Sequence, residues 1–198
     1  INVPSVLTTL VTDELDFPNL SMVGVDDRAA AYTAVDYLIR QGHRKIAVLG
    51  GPVTSYPSLM RRQGAQQAME DAGIVFNDKL YGLSNYDFES AYHAMNSLLA
   101  RRAEFTALFA MSDVIAFGAI RALVSAGFRV PEDVSVIGFD GITMSRYCVP
   151  VMTTIVQPSE QIALQSIELL VRQIEHGSPA QTVTLQPELQ QGESVRAI

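Results

Sequence analysis

Apolar residues recur along this chain at two alternating spacings, three and four apart in long stretches and consecutive in short ones. Helices and buried strands that follow one another in βα units produce this alternation. Ala31, Ala34, Val35, Leu38 and Ile39 predict one helical stripe, closed by Gly42 as a left-handed cap. The apolar run Ile46 to Leu49 predicts a strand. A second helix places Ala65, Ala68, Met69 and Ala72 on one side and stops at Gly73. Leu80 to Leu83 reads as a weaker strand, and Ala91, Met95, Leu98 and Leu99 mark a third helix. Ala107 to Ala110 reads as a buried strand. The fourth helix, with Ala116, Ile120, Leu123 and Val124 on its apolar face, follows a Ser112 or Asp113 cap and ends at Gly127. Pro131 then precedes the most apolar strand, Val134 to Phe139.

Repeated strand-helix units predict an open, doubly wound parallel sheet, an α/β fold. Such sheets take ligands at the carboxyl ends of their strands. The loops Gly50 to Tyr56, Ser84 to Tyr86, Met111 to Asp113 and Asp140 to Ile142 should therefore share one rim. The ends of the chain fit less well. Pro4 to Thr8 and Leu20 to Val25 read as strands without a clear helix between them. A long amphipathic helix is predicted over Ser159 to His176, with Ala163, Ile167, Leu170, Val171 and Ile174 as its covered face. Two strands make a marginal sheet. A second lobe is expected, much of it N-terminal to Ile1 and outside this chain.

Composition narrows the function classes. The 198 residues are 48% hydrophobic, enough for a packed core, and the formal charge is −7, from 14 basic and 21 acidic residues. That balance excludes this polypeptide by itself as a phosphate-backbone binder. No apolar run approaches the ~18 residues that span a bilayer, and no basic n-region with a cleavage site reads as a secretory signal. The lone Cys148 excludes an internal disulfide and fits a reducing compartment such as the cytoplasm, although many periplasmic proteins also lack cysteine. His43, His93 and His176 lie far apart with no ligand spacing, so neither a metal nor another cofactor is expected.

The stretch Val48 to Met69, VLGGPVTSYPSLMRRQGAQQAM, invites three catalytic readings and satisfies none. No Gly-Lys-Ser or Gly-Lys-Thr follows the glycines, no G-x-G-x-x-G opens the helix, and no G-x-S-x-G elbow is present. What remains is a pair of arginines. Arg62 reads as a solvated surface cation, whereas Arg61 can lean toward the rim and offer a planar fork to a carboxylate or to vicinal hydroxyls. Asp140, directly after a strand, is either a loop brace or an acceptor of two hydroxyl protons. Tyr86 is either half-buried packing or a ring face for a sugar or base. At least one of Ser112 and Asp113 is occupied with capping. No His stands near to act as base and no Ser or Cys has a partner, so no catalytic residue is assigned and the protein is read as a non-enzyme. An acid/base pair of Asp113 and Asp140, as in a glycosidase, is the weakest reading of this rim, since a doubly wound sheet with no other carboxylate there suits it poorly.

Three long segments resemble a known family: YLIRQGHRKIAVLGGP (Tyr37 to Pro52), FRVPEDVSVIGFD (Phe128 to Asp140) and PVMTTIVQP (Pro150 to Pro158). They are similar to the effector-binding core of lactose/galactose-repressor (LacI/GalR) transcription regulators, and the likeness extends from Val3 to the ESVR near the end. The resemblance implies a periplasmic-binding-protein-like fold of two lobes, with a sugar, sugar phosphate or nucleoside effector held between them. It implies a homodimer that binds operator DNA through an N-terminal helix-turn-helix not present here, and no contact with a membrane. Carried onto this sequence, it implies ligand contacts from Arg61 in its R-x-x-G setting, Asp140, Tyr86, Gln157 and Asp26, with Ser55, Ser112 and Asp113 on the same rim. Where the family commonly has Asn-Asp before the fourth helix, this chain has Ser112-Asp113, so a shorter hydroxyl replaces a two-handed amide.

The resemblance also implies a division by chain crossing. Residues 1–26 and 154–178 would be a remnant of the N-terminal lobe, and residues 27–153 and 179–198 the C-terminal lobe. The alternative carrier of such a fold is a solute-binding protein of a sugar transporter.

Overall fold

The computed structural model describes residues 3–15 and 17–198 and contains two compact units, described separately below. The larger comprises Asp27–Val156 with Leu189–Ile198, the smaller Ile1–Asp26 with Gln157–Glu188.

In the smaller unit, β1 (Ser5–Thr8) and β2 (Leu20–Val25) pair in parallel. The larger unit begins with α1 (Asp27–Arg40) and β3 (Ile46–Gly50). It continues with α2 (Tyr56–Asp71), β4 (Tyr81–Leu83), α3 (Phe88–Ala100) and β5 (Ala107–Ala110). Then come α4 (Asp113–Ser125), β6 (Ser135–Asp140) and β7 (Thr153–Val156). The chain returns to the smaller unit with α5 (Ser159–His176) and β8 (Thr182–Leu185), and β9 (Glu188–Gln190) closes the larger sheet.

The large sheet has the order β4-β3-β5-β6-β7-β9, and β3, β4, β5, β6 and β7 pair in parallel. Chain order reverses between β3 and β5, so their carboxyl ends open a crevice where the loops diverge. The crossovers pack α1 against α2 and α3 against α4. Strands buried on both faces read as unbroken apolar runs, which is why IAVLG, ALFA and SVIGF were legible. Gly42, Gly73 and Gly127 take φ of 100°, 69° and 88°, ending three helices as the sequence predicts.

Three expectations need correction. Residues 154–156 belong to the larger unit, because β7 pairs with β6, and residues 179–188 fall in the smaller one, because β8 pairs with β2 in the order β1-β2-β8. On α5 the covered residues are Ile162, Ser166, Leu169 and Gln173, which meet the three-stranded sheet. The predicted face, Ala163, Ile167, Val171 and Ile174, is exposed, with Leu170 half-buried. The covered side carries Ser166 and Gln173 beside Ile162 and Leu169, and the more apolar side is the exposed one, so periodicity pointed to the wrong side. On α4, Val124 is likewise exposed and Ile120 half-buried, while Ile115, Ala119 and Ala122 fill the core instead.

Candidate functional site

The carboxyl ends of β3, β5 and β6 gather one charged cluster. Arg61, one turn into α2, is 6% exposed. Its Nε–H donates to Asp27 Oδ1 at 2.6 Å and its Nη1 donates to the Met111 carbonyl at 2.5 Å. Nη1 also stands 3.5 Å from Asp140 Oδ1, and the guanidinium lies 3.7 Å from the centre of the Phe139 ring. One cation thus joins the start of α1, the end of β5 and the end of β6. A planar, weakly hydrated guanidinium can accept this burial because carboxylates, a carbonyl and an aromatic face replace its water.

Asp140 keeps 27% of its side chain exposed. Its backbone has φ of 111°, a region that favours glycine and costs an aspartate about 1–3 kcal/mol. Tyr86 also has positive φ, 60°, and its ring covers Gly51 so closely that a Cβ on Gly51 would lie 2.1 Å from the ring. The Tyr86 hydroxyl is buried and has no hydrogen-bond partner among the described residues. Around it, Ser58 Oγ donates to the Gly51 carbonyl and Ser84 Oγ to the Gly50 carbonyl, which fixes the glycine turn.

The remaining predicted residues separate into two groups. Ser55 and Ser112 are helix caps: Ser55 Oγ accepts from the Ser58 amide at 3.4 Å, and Ser112 Oγ accepts from the Ile115 amide at 3.1 Å. Asp113 is fully buried, with Oδ1 accepting from Thr154 Oγ1 at 2.6 Å and Oδ2 from the Ile142 amide at 2.9 Å. Both of its oxygens are thus engaged by the protein. Burial, aided by the charge of Asp140, raises the Asp113 carboxyl to about 6, against the pull of hydrogen bonds from Thr154 and from the Ile142 and Gly141 amides. Asp26 and Gln157 belong to the smaller unit, Asp26 exposed at the end of its first segment and Gln157 half-buried at the start of its second. Arg62 is not a free surface cation. It is half-buried, stacked 4.5 Å from the Tyr81 ring centre and 5.5 Å from that of Phe76.

Sequence reasoning missed Asp27, Phe139 and Thr154. The signal for Asp27 was a second acid beside Asp26 at the head of a helix; Phe139 and Thr154 read as ordinary strand residues. Two surface hollows, of about 350 and 550 Å³, share Ile74 and Val75. The smaller reaches Lys45 and Ile46, at the amino end of β3 and away from this rim. Among the described residues no group of three or more His, Cys, Asp or Glu could hold a metal, and no helix is long and apolar enough to cross a membrane.

Comparison with known proteins places this geometry in context. The model of a periplasmic binding protein-like domain matches residues 35–195. The chain is 35% identical over 181 residues to the HTH-type transcriptional repressor PurR of Histophilus somni, covering 91% of this chain and 54% of that protein. The solved complex of the transcriptional regulator CelR with cellobiose superposes with a TM-score of 0.85 at 33% identity, over 91% of this chain and 56% of the other. A LacI family transcriptional regulator from Enterococcus faecium with bound ribose gives 0.83 at 28% identity, over 90% and 66%. The chain spans about half the length of the curated relatives it matches, 54%, 58% and 50% for three of them.

Proposed function

The chain belongs to the periplasmic binding protein-like domain family, in the form that gives LacI-type transcription regulators their effector-binding core, and from that premise we propose that the rim around Arg61 and Asp140 grips an uncharged, hydroxyl-bearing small molecule. The observation that carries this reading is the sharing of one buried guanidinium by two carboxylates, Asp27 and Asp140. A phosphorylated ligand would meet a net excess of negative charge and would have to compete with a buried ion pair for Arg61. Hydroxyl groups face no such penalty. Asp140 can accept their protons, and the Tyr86 ring can cover an apolar sugar or base face. Relatives with cellobiose and ribose bound support the same class.

Binding at this rim would be transmitted to operator DNA through a helix-turn-helix outside this chain. The relatives are transcription regulators, which favours this reading over transport. Action in the cytoplasm without catalysis, and as a homodimer, belongs to the same proposal. The dimer is supported by the apolar side chains that the segment after β6 exposes, Met144 at 58%, Tyr147 at 77% and Val149 at 93%. A thermal-shift screen of sugars, nucleosides and their phosphates tests the reading. A ligand at a hundredfold excess over Kd stabilises by about 2.7 kcal/mol. Hits confined to phosphorylated compounds would refute it.

A further inference from the structure

Asp113 does not face the rim, yet three elements meet at its carboxylate. The residue opens α4; Oδ1 accepts a hydrogen bond from the Thr154 hydroxyl of β7, and Oδ2 accepts one from the Ile142 amide of the loop after β6. Gly138 leaves room for this arrangement, since a Cβ there would lie 2.2 Å from Asp113 Oδ1. Ile142 is two residues beyond Asp140, and between them Gly141 takes φ of 70° after the 111° of Asp140. Glycine takes such an angle freely, but the Asp140 conformation does not persist unless the surrounding structure holds it. The Ile142 amide is the point at which the loop is tied back to the helix and the neighbouring strand.

We propose that Asp113 is a positioning residue, which holds the loop after β6 so that Asp140 stays in its strained conformation with its carboxylate 3.5 Å from Arg61. An ionised carboxylate accepts the amide about twice as strongly as a neutral group does, so the hold weakens when Asp113 takes a proton. The groups that face it are Asp140 at the end of β6, whose charge opposes ionisation, Cys148 from the segment after the Thr143–Arg146 turn, and Thr154. Arg61 on α2 reaches this group through Asp140. The consequence for affinity rests on the effector reading above; the hold itself does not.

The test uses NMR spectra of the unliganded protein between pH 4 and 8. The Ile142 amide, the Asp140 carboxyl carbon and the Arg61 Nε–H should share one titration midpoint in addition to that of Asp140 itself. In Asp113→Asn that shared midpoint should vanish, with the Asp140 and Arg61 signals displaced from their wild-type positions at pH 7. In Asp140→Asn the Ile142 amide should still titrate, at lower pH, because the acidic neighbour is gone. Asp140 and Arg61 signals that ignore the Ile142 titration, or that match wild type in Asp113→Asn, overturn the proposal. Should Asp113→Asn fail to fold, the wild-type titration decides. These spectra judge the hold whichever molecule the rim takes.

Discussion

Arg61 donates its Nε–H to Asp27 Oδ1 across 2.6 Å, and the two side chains are only 7% and 4% exposed. A pair buried to this degree is costly to break from one side, because the survivor keeps its charge without its partner. Arg61→Ala should therefore lower the unfolding free energy by about 3–5 kcal/mol. Replacing both members, Arg61→Met with Asp27→Leu, should recover most of that loss. Urea denaturation, with the midpoint falling and the slope unchanged, checks both.

Gly51 and Tyr86 share too little space for a methyl group. Gly51→Ala should push the Tyr86 ring aside, since the new Cβ would stand 2.1 Å from it. Overpacking of this kind costs about 1–3 kcal/mol. A crystal structure of the variant should show the ring moved, and effector affinity should fall further than stability does.

Two buried groups set opposite pH slopes. Asp113 is raised from 3.8 to about 6, so the folded state holds a proton that the unfolded state releases; this group's contribution to stability is fullest below pH 3.8 and is lost as pH rises through about 6. The cost at neutral pH is about 3 kcal/mol. His43 is lowered from 6.5 by burial, its ring lying 2.9 Å from Thr106 Oγ1 and 3.1 Å from the Arg196 carbonyl. Its contribution is present above pH 6.5 and lost as pH falls through the lowered folded value. Unfolding free energies measured from pH 4 to 8 should lose the first slope in Asp113→Asn and the second in His43→Gln.

The covered and exposed sides of α5 should respond differently to substitution. Leu169, 5% exposed against the three-stranded sheet, should cost about 2–5 kcal/mol when cut to alanine. Ile167→Gln and Ile174→Gln, at 61% and 64% exposure, should stay within about 0.5 kcal/mol of wild type in this 198-residue chain. Thermal unfolding of the three variants checks the assignment of faces.

These contrasts show what the sequence could convey. Helices with one apolar side, such as α1 and α3, and strands buried on both faces, such as β5, were legible because their periodicity has one solution. The short β7, β8 and β9 were not, because runs such as TTIV and TVTL carry no pattern that separates a strand from a loop. At the site, topology put Arg61 and Asp140 on one rim, since both follow strands whose ends share it, but it gave no sign that they pair. The role of Asp113 was not legible either. A carboxylate at a helix start looks the same in sequence whether it faces a ligand or the amide of a loop twenty-nine residues away.

The central claim is that this rim holds an uncharged polyol through Asp140. Isothermal titration of D-ribose, cellobiose and adenosine against ribose 5-phosphate, cellobiose 6-phosphate and AMP, on wild type and Asp140→Asn, tests it most directly. At least one unphosphorylated compound should bind, its phosphorylated counterpart should bind at least about tenfold more weakly, a difference of about 1.4 kcal/mol, and Asp140→Asn should abolish the heat. Tighter binding of a phosphorylated compound, or binding indifferent to Asp140→Asn, would contradict it.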